Sequence, residues 1–323
     1  PPLLTLAAAA SPRGQALSQE RLHGRVEQLE RALEAERERS AQLQHDLDAE
    51  RRRATDLEAE LANRSPATST GMGVPPEFAD LVDNHAGCSI DDTADRGITP
   101  DQLQRLADFI SQGCLRRGWR SSRDGNPLEP GSMNLYDAKD HIIKPATAHR
   151  QCSYVELIAR QAQPPKWFVS HWWGEPILLF VSCLRQHALD RKLRSSSAYW
   201  VCAYANNQHR PQEDIAEDPA KSSFRRAMAS AVGTVSVLDQ TSTCLTRVWC
   251  AYEVWVSLDP TQGTSSDYKY DIYTALDATH AVGFTDGLSE LDKESGKAAE
   301  WRHVGGAYAH KMRREAAFPT SVI

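Results

Sequence analysis

Two hydrophobic patterns divide the chain of 323 residues into unlike parts. Between Leu22 and Leu61, nine of the twelve a and d positions of a heptad repeat are apolar, and the positions between them are mostly Glu, Arg, Gln and Asp. This narrow stripe predicts a coiled coil over residues 15–64 that self-associates through residues 22–61, in the first place as a parallel dimer. The alternative is a single charged helix, free or docked elsewhere.

The pattern changes after residue 64. Residues 65–76 are rich in Pro, Gly, Ser and Thr, which predicts a linker. Residues 77–165 form an α-rich lead-in that we expect to pack on the main domain, with a helix capped by Thr99 and opened by Pro100. Short apolar pieces flanked by Asp and Lys predict a small hairpin or extended segment over residues 134–147.

From Lys166 onward, short apolar strands alternate with helices. The predicted strands are residues 167–170, 198–205, 233–239 and about 268–274, and the predicted helices begin at Pro176, at Ser222 or Ser223, and at Leu245. Apolar strands separated by helices predict an α/β domain over residues 166–276, with a parallel sheet covered by helices on both faces. No fifth strand is predicted, and residues 277–323 are expected to be a mainly helical extension.

Composition and charge exclude several classes of protein. The net charge of -6 disfavours a broad electrostatic grip on nucleic acid, and no apolar run approaches the roughly 20 residues of a membrane span. The seven cysteines are an odd number and lack the spacing of a metal site. We therefore expect reduced thiols in a cytoplasmic protein, with no metal and no permanently bound cofactor.

Polar and aromatic side chains follow three of the predicted strands, where ligands bind in open parallel sheets. They are Ser170, His171 and Trp172 after the first strand, Asn206 after the second and Asp239 after the third. Such a set provides hydrogen-bonding groups and a stacking surface for a small polar ligand. The alternative is that strand ends are polar in any case and that the tryptophan belongs to the core.

Glu253 is the only charged residue between Val248 and Leu258, in a helix that we expect to be buried on every side. A buried carboxylate needs a partner or a function, because an isolated buried charge is costly. One interpretation is a salt bridge, for example to Arg247. The other is a carboxylate that faces the ligand pocket, with Trp249 one helical turn away on the same face.

The segment from Trp249 to Glu253 resembles the Trp-Cys-x-x-Glu element on the third helix of TIR (Toll/interleukin-1 receptor-like) domains. Phe168-Val169-Ser170 resembles the opening of the first TIR strand, and the order of strands and helices agrees. Residues 166–276 also resemble a group of TIR-like proteins of unicellular eukaryotes. The resemblance implies a flavodoxin-like sheet and, as in many TIR domains, cleavage of NAD that depends on the glutamate of this helix, here Glu253.

Three functions follow from these observations. The first is cleavage of NAD, a substrate rather than a bound cofactor, activated by self-association as the resemblance implies. In it, Glu253 is catalytic and Ser170, His171, Trp172, Asn206, Asp239 and Trp249 contact the substrate. The second is a non-enzymatic interaction or adaptor module with the same fold. The third, a nucleophilic enzyme with His171 and Cys250 or Cys183, is the least favoured, because a carboxylate beside Cys250 disfavours a thiolate.

Overall fold

The computed structural model describes residues 74–82, 87–214, 219–259, 261, 264–297 and 305–322. Two predictions lie outside the described residues: the coiled coil at residues 15–64 and its self-association through residues 22–61. Nearly all of the predicted linker lies outside them as well. The fold below therefore concerns the lead-in, the α/β domain and the C-terminal extension.

A five-stranded sheet forms the centre of the fold. Its strands are β1 (Pro165–His171), β2 (Ala198–Trp200), β3 (Gly233–Leu238), β4 (Lys269–Ala275) and β5 (Ala281–Phe284). Their spatial order is β2-β1-β3-β4-β5; the first four are parallel and β5 runs antiparallel to β4. The predicted α/β class, with a mostly parallel sheet and helices around it, is confirmed.

Eleven α-helical segments fall within the described residues. They are α1 (Pro100–Arg117), α2 (Leu135–Ala138), α3 (Lys144–Thr147), α4 (Tyr154–Ile158), α5 (Ile177–Asp190), α6 (Cys202–Ala205), α7 (Pro211–Asp214), α8 (Ser223–Ser230), α9 (Val248–Leu258), α10 (Glu290–Ser295) and α11 (Gly306–Glu315). Short 3-10 turns occur at Pro76–Leu81, Thr93–Asp95, Pro219–Lys221, Thr243–Thr246 and Thr320–Val322. In this part of the chain, no helix is long and apolar enough to cross a membrane.

Side-chain alternation along β1 divides the core into two layers. Trp167 and Val169 pack into the cluster that holds α1 and α5, whereas Phe168 packs into a second cluster with α8 and Val256 of α9. Ser170 has the same parity as Phe168 and therefore points toward α9. The two-residue period of the strand thus brings a polar side chain to the buried face of that helix.

Residues 134–147 are helical rather than extended, so the hairpin prediction is wrong. Asn134 caps α2, accepting hydrogen bonds from the amides of Tyr136 and Asp137, and a π-helical turn at Lys139–Ile143 joins α2 to α3. Leu135, Ala138 and Ile142 are buried at helical spacing. Lys139, Asp140 and Lys144 are partly exposed, whereas Asp137 is buried and accepts a hydrogen bond from the Asn134 amide, so the charged residues do not mark one face of the helix.

The second predicted strand and the missing fifth strand are further corrections. Only Ala198–Trp200 pairs with β1, and the equally apolar residues 202–205 turn into the short helix α6. Both pieces are buried, so hydrophobicity alone does not distinguish them. The extension contains α10 and α11 as expected, but it also supplies β5, which pairs with β4.

Helix α9 is not buried on every side, contrary to the sequence prediction. Cys250, Glu253, Val256 and Ser257 face the sheet, but Val248 is 84% and Leu258 61% exposed. Only one face of this apolar helix is buried against the sheet, and its other apolar face is exposed on the surface. An apolar sequence alone therefore did not predict burial on every side.

A buried ionic network joins α5 to β4. The guanidinium of Arg191 donates to both carboxylate oxygens of Asp271, at 2.6 and 2.8 Å, and His187 Nε2 lies 3.1 Å from the same carboxylate. Burial alone would raise the Asp271 pKa, but the hydrogen bonds from His187 and Arg191 outweigh it and lower the pKa below its ordinary value. This bidentate pair fixes the register of α5 on the sheet.

Asp271→Asn should destabilise the fold by about 3 kcal/mol at pH 7, because it leaves the buried guanidinium of Arg191 without a counter-charge. The folded pKa of Asp271 is depressed, so the wild-type advantage is complete above about pH 4 and is lost as the pH falls further. Urea unfolding at pH 7 and pH 3.5 measures this difference. The exposed Asp267→Asn is the control, and equal losses for the two variants would contradict the prediction.

Candidate functional site

The first element of the site is the hydrogen bond between β1 and α9. Ser170 is fully buried, and its Oγ donates to Glu253 Oε2 at 2.5 Å. The strand parity described above directs Ser170 toward α9, and the helix register directs Glu253 toward the strand. The hydrogen bond therefore holds the carboxyl group in one position at the carboxyl end of β1.

Glu253 is only 4% exposed, and the surroundings disfavour its charge. Burial raises its pKa well above the ordinary value, and the neighbouring Cys250 thiol raises it further. The hydrogen bond from Ser170 and the charge of Arg247 oppose this shift only in part. No ion pair with Glu253 is present among the described residues, so its carboxyl group is a hydrogen-bonded acid rather than half of a salt bridge.

The carboxyl group of Glu253 faces a cavity of about 190 Å³. Its lining includes aromatic side chains and polar side chains, the aromatic ones being Trp173, Phe224 and Trp249 and the polar ones His171, Asn206, Gln208 and Arg247. Trp249 and Glu253 both line the cavity because residues four apart lie on the same face of α9. A concave site with apolar walls and a few convergent polar groups is what a small polar ligand requires.

His171 is a neutral imidazole within this cavity. Burial lowers its pKa to about 4, and its Nδ1 has no hydrogen-bond partner in the described part of the chain. Its Nε2 lies 3.8 Å from Cys202 Sγ, and its ring packs against Phe180. A buried ring nitrogen without a partner is rare in folded proteins and is available to a ligand.

Asn206 and Trp249 are held in place by neighbouring side chains. Asn206 ends α6, and its Oδ1 accepts a hydrogen bond from Ser223 Oγ at 3.1 Å. The Trp249 ring stacks on Phe224 with 5.9 Å between centroids and 23° between planes, although Trp249 is 40% exposed. The amide and the aromatic wall are therefore preorganised before any ligand binds.

Four of the seven residues predicted from the sequence line this cavity, a fifth is hydrogen-bonded to one of them, and two lie elsewhere. Ser170 supports Glu253 from below, and His171, Asn206, Trp249 and Glu253 form part of the wall. Trp172 and Asp239 instead line a second cavity, which shares no lining residue with the first. Of the two consecutive tryptophans after β1, Trp173 lines the first cavity and Trp172 lines the second. The order of the strands alone does not predict this difference.

Sequence reasoning missed part of the wall. Phe224, one residue after the start of α8, gave no signal beyond its place in an amphipathic helix. Arg247 was considered only as a salt-bridge partner, yet it lies at the N-cap position of α9 and lines the cavity. A cation at the start of an otherwise apolar helix with one buried carboxylate is a signal that could have indicated a shared pocket.

Neither thiol of the cysteine–histidine alternative, Cys250 or Cys183, is paired with the His171 imidazole among the described residues, and the thiol that does lie near it is that of Cys202. Cys250 lies 3.6 Å from the backbone carbonyl of His171 rather than from its imidazole, although a hydrogen bond with Cys244 lowers the Cys250 pKa to about 7. Burial raises the pKa of Cys202 to about 12 and that of Cys183 well above its ordinary value. All seven cysteines are free thiols. This geometry does not favour the cysteine–histidine alternative.

No family model, curated protein or solved structure matches this chain. Within the described ranges, no group of three or more His, Cys, Asp or Glu side chains is arranged to hold a metal ion.

Glu253→Gln should raise the thermal stability of the protein at neutral pH. The folded pKa of Glu253 is raised, so ionisation of this residue in the unfolded chain favours unfolding once the pH exceeds about 4.5, and glutamine removes that cost. The melting temperatures of the variant and the wild type should be close at pH 4 and should separate as the pH rises.

The matched control is Glu294→Gln, which removes a carboxylate with a side chain 58% exposed. It should leave the pH dependence of the melting temperature nearly unchanged. A Glu253→Gln variant that is less stable than the wild type at pH 7 would contradict the raised pKa and would make the carboxylate a structural ion.

Proposed function

We propose that this chain is a TIR-like enzyme that cleaves NAD at the bond between nicotinamide and ribose. The observation that carries the proposal is the Glu253 carboxyl group, buried on Ser170 and open to an aromatic-walled cavity at the carboxyl ends of the strands. A carboxylate in this setting is the group that a positively charged transition state requires.

The strand order supports the proposal. The order β2-β1-β3-β4-β5 is the flavodoxin-like order 2-1-3-4-5, in which ligands bind beyond the carboxyl ends of the strands. The TIR resemblance of the segments around Ser170 and Glu253 falls on the two residues that make the central hydrogen bond. The antiparallel β5 departs from the all-parallel pattern, but it lies at the opposite edge of the sheet from β1 and β2.

The proposed reaction balances with water as the second reactant. The bond between the pyridinium nitrogen and ribose C1′ breaks, its electron pair goes to the ring nitrogen, and nicotinamide leaves as a neutral molecule. Water then adds to C1′ of the oxocarbenium-like ribose and releases a proton. The leaving group starts as a cation, so no strong general acid is required, in contrast to glycoside hydrolysis.

Glu253 stabilises the positive charge in this scheme. The pyridinium of NAD, once bound, favours the ionised carboxylate and lowers a pKa that burial has raised. The carboxylate then faces the positive charge that develops on ribose, while Trp249 and Phe224 provide a stacking surface for the nicotinamide ring. The neutral His171 ring and the Asn206 amide offer hydrogen bonds to the sugar or the carboxamide.

The size of the cavity limits what it holds. At about 190 Å³ it is smaller than the roughly 300–1,000 Å³ of pockets that enclose a drug-sized ligand. It fits the nicotinamide–ribose end of NAD, with the phosphates outside near Arg247, whose guanidinium suits an anionic group. Self-association through residues 22–61 would raise the local concentration of the domain, as the resemblance to TIR enzymes implies.

The test incubates NAD with the full chain, alone and crosslinked into oligomers, and measures released nicotinamide by chromatography. We expect cleavage by the wild type, greatest in the crosslinked sample. Glu253→Gln should reduce the rate by about 100-fold or more, the effect of losing one group that stabilises transition-state charge. Glu294→Gln should cleave at the wild-type rate. Nicotinamide release that is absent in every sample, or equal in Glu253→Gln, overturns the proposal.

A second candidate is an interaction or adaptor module, and the exposed face of α9 favours it. Val248, Trp255 and Leu258 lie on this face at helical spacing, with exposures of 84%, 49% and 61%. Exposed apolar side chains in such a row are typical of docking surfaces. In this function Glu253 would have no role beyond the fold.

The double variant Val248→Asp/Trp255→Ser separates the two functions. Both side chains point away from the cavity side of α9, so the variant should keep at least about half of the wild-type NAD cleavage in dilute solution. Under the adaptor function it should lose binding to its protein partners, measured by affinity capture, while Glu253→Gln binds them normally. Loss of NAD cleavage with intact folding would contradict the separation of surface and site.

A further inference from the structure

The second cavity is a site that the proposed reaction does not use. It has a volume of about 260 Å³ and lies at the carboxyl ends of β1, β3 and β4. Two carboxyl groups, Glu175 and Asp239, line it together with the hydroxyl-bearing Thr274, and Trp172, Leu179 and Leu238 provide apolar wall. Two acids that share a small and largely apolar cavity require an explanation.

Glu175 is the more unusual of the two acids. It is 3% exposed, and its Oε2 has no hydrogen-bond partner among the described residues. Buried carboxyl oxygens in folded proteins are nearly always satisfied, and a buried one without a partner indicates a ligand or ion that completes it. Glu175 is fixed at this position because Pro176 directly follows it and caps α5.

The loop before Glu175 is shaped around the Trp172 ring. A Cβ atom on Gly174 would lie 2.2 Å from that ring, so only glycine allows the indole to fold back on the loop. The ring then forms a wall of the cavity that contains Glu175. An aromatic face beside a carboxyl group is a combination that recognises organic cations.

Asp239 provides a fixed negative charge in the same cavity. Its carboxylate accepts hydrogen bonds from Thr241 Oγ1 at 2.6 Å, from the Thr243 amide at 2.6 Å and from Thr243 Oγ1 at 2.8 Å. Burial raises the Asp239 pKa, but these hydrogen bonds outweigh it, so the pKa is lowered and the group is ionised at neutral pH.

We propose that this cavity binds a small organic cation, a primary alkylammonium, with its charged head between Glu175 and Asp239 and its alkyl chain against Trp172, Leu179 and Leu238. A divalent metal ion bound directly by the protein fits less well, because Mg²⁺ and Ca²⁺ require six or more oxygen ligands, whereas more than half of the lining residues are apolar. The site is independent of the Glu253 cavity and of NAD cleavage.

Proton release accompanies binding at this site. Burial raises the Glu175 pKa to about 8, and the charge of Asp239 contributes to the shift. The other titratable group that interacts with Glu175 is the buried Cys183 thiol of α5, whose own pKa is raised, so it stays neutral. A bound ammonium lowers the Glu175 pKa again, so Glu175 loses its proton when the amine binds. The affinity for the amine should therefore rise as the pH increases from 6 to 8.

Calorimetric titration with n-butylamine tests the proposal on the full chain, and n-butanol is the neutral probe of the same shape. We expect saturable binding of the amine up to the millimolar range and none of the alcohol. Titration of the wild type at pH 7 in phosphate and in MOPS, two buffers without a primary amine whose ionisation enthalpies differ, should show a proton released on binding.

Glu175→Gln and Asp239→Asn should each weaken amine binding at least about tenfold, because each removes one charge-assisted hydrogen bond. Glu175→Gln should also abolish the proton release, and Asp267→Asn should leave affinity and proton release unchanged. Absence of amine binding to the wild type overturns the proposal, as does equal binding of butanol or tighter binding of Ca²⁺. The two wild-type titrations decide the proposal even if a variant fails to fold.

Discussion

The candidate site depends on the desolvation of one carboxyl group. Glu253 is four per cent exposed, has a single short hydrogen bond from Ser170, and still faces an open cavity. A carboxyl group buried this deeply without a counter-charge lowers the stability of the fold at neutral pH. Such a cost is typical of positions where the protein uses the group, and a cationic ligand is the partner that would offset it.

The end of β1 organises both cavities. Ser170 points toward α9 and donates a hydrogen bond to Glu253. His171 lines the cavity that Glu253 faces, and Trp172 lines the neighbouring cavity. Glu175, a few residues later, is a second buried acid with a raised pKa. One strand end thus separates two small cavities, each with one acid whose charge burial disfavours, and positively charged ligands suit both.

Features that depend on the local sequence were predictable. The first and third buried strands and the Thr99 cap follow from local periodicity and capping chemistry, whereas the sequence left open whether Glu253 forms a salt bridge or faces a pocket. Features that depend on tertiary contacts were not. The apolar residues 202–205 form a helix although they match a buried strand, and β5 pairs only because β4 offers a free edge. Periodicity also did not indicate which face of α9 the sheet covers.

The ionisation of Glu253 in the folded protein tests the central claim most directly. Carbon-13 NMR of the glutamate-labelled chain, with the signal assigned by its loss in Glu253→Gln, reports the pKa of this carboxyl group alone. A pKa well above the ordinary 4.5 that falls when a non-cleavable pyridinium analogue of NAD is added is the predicted result. An ordinary pKa that the analogue does not change would contradict both the desolvation and the role of Glu253 in binding a cation.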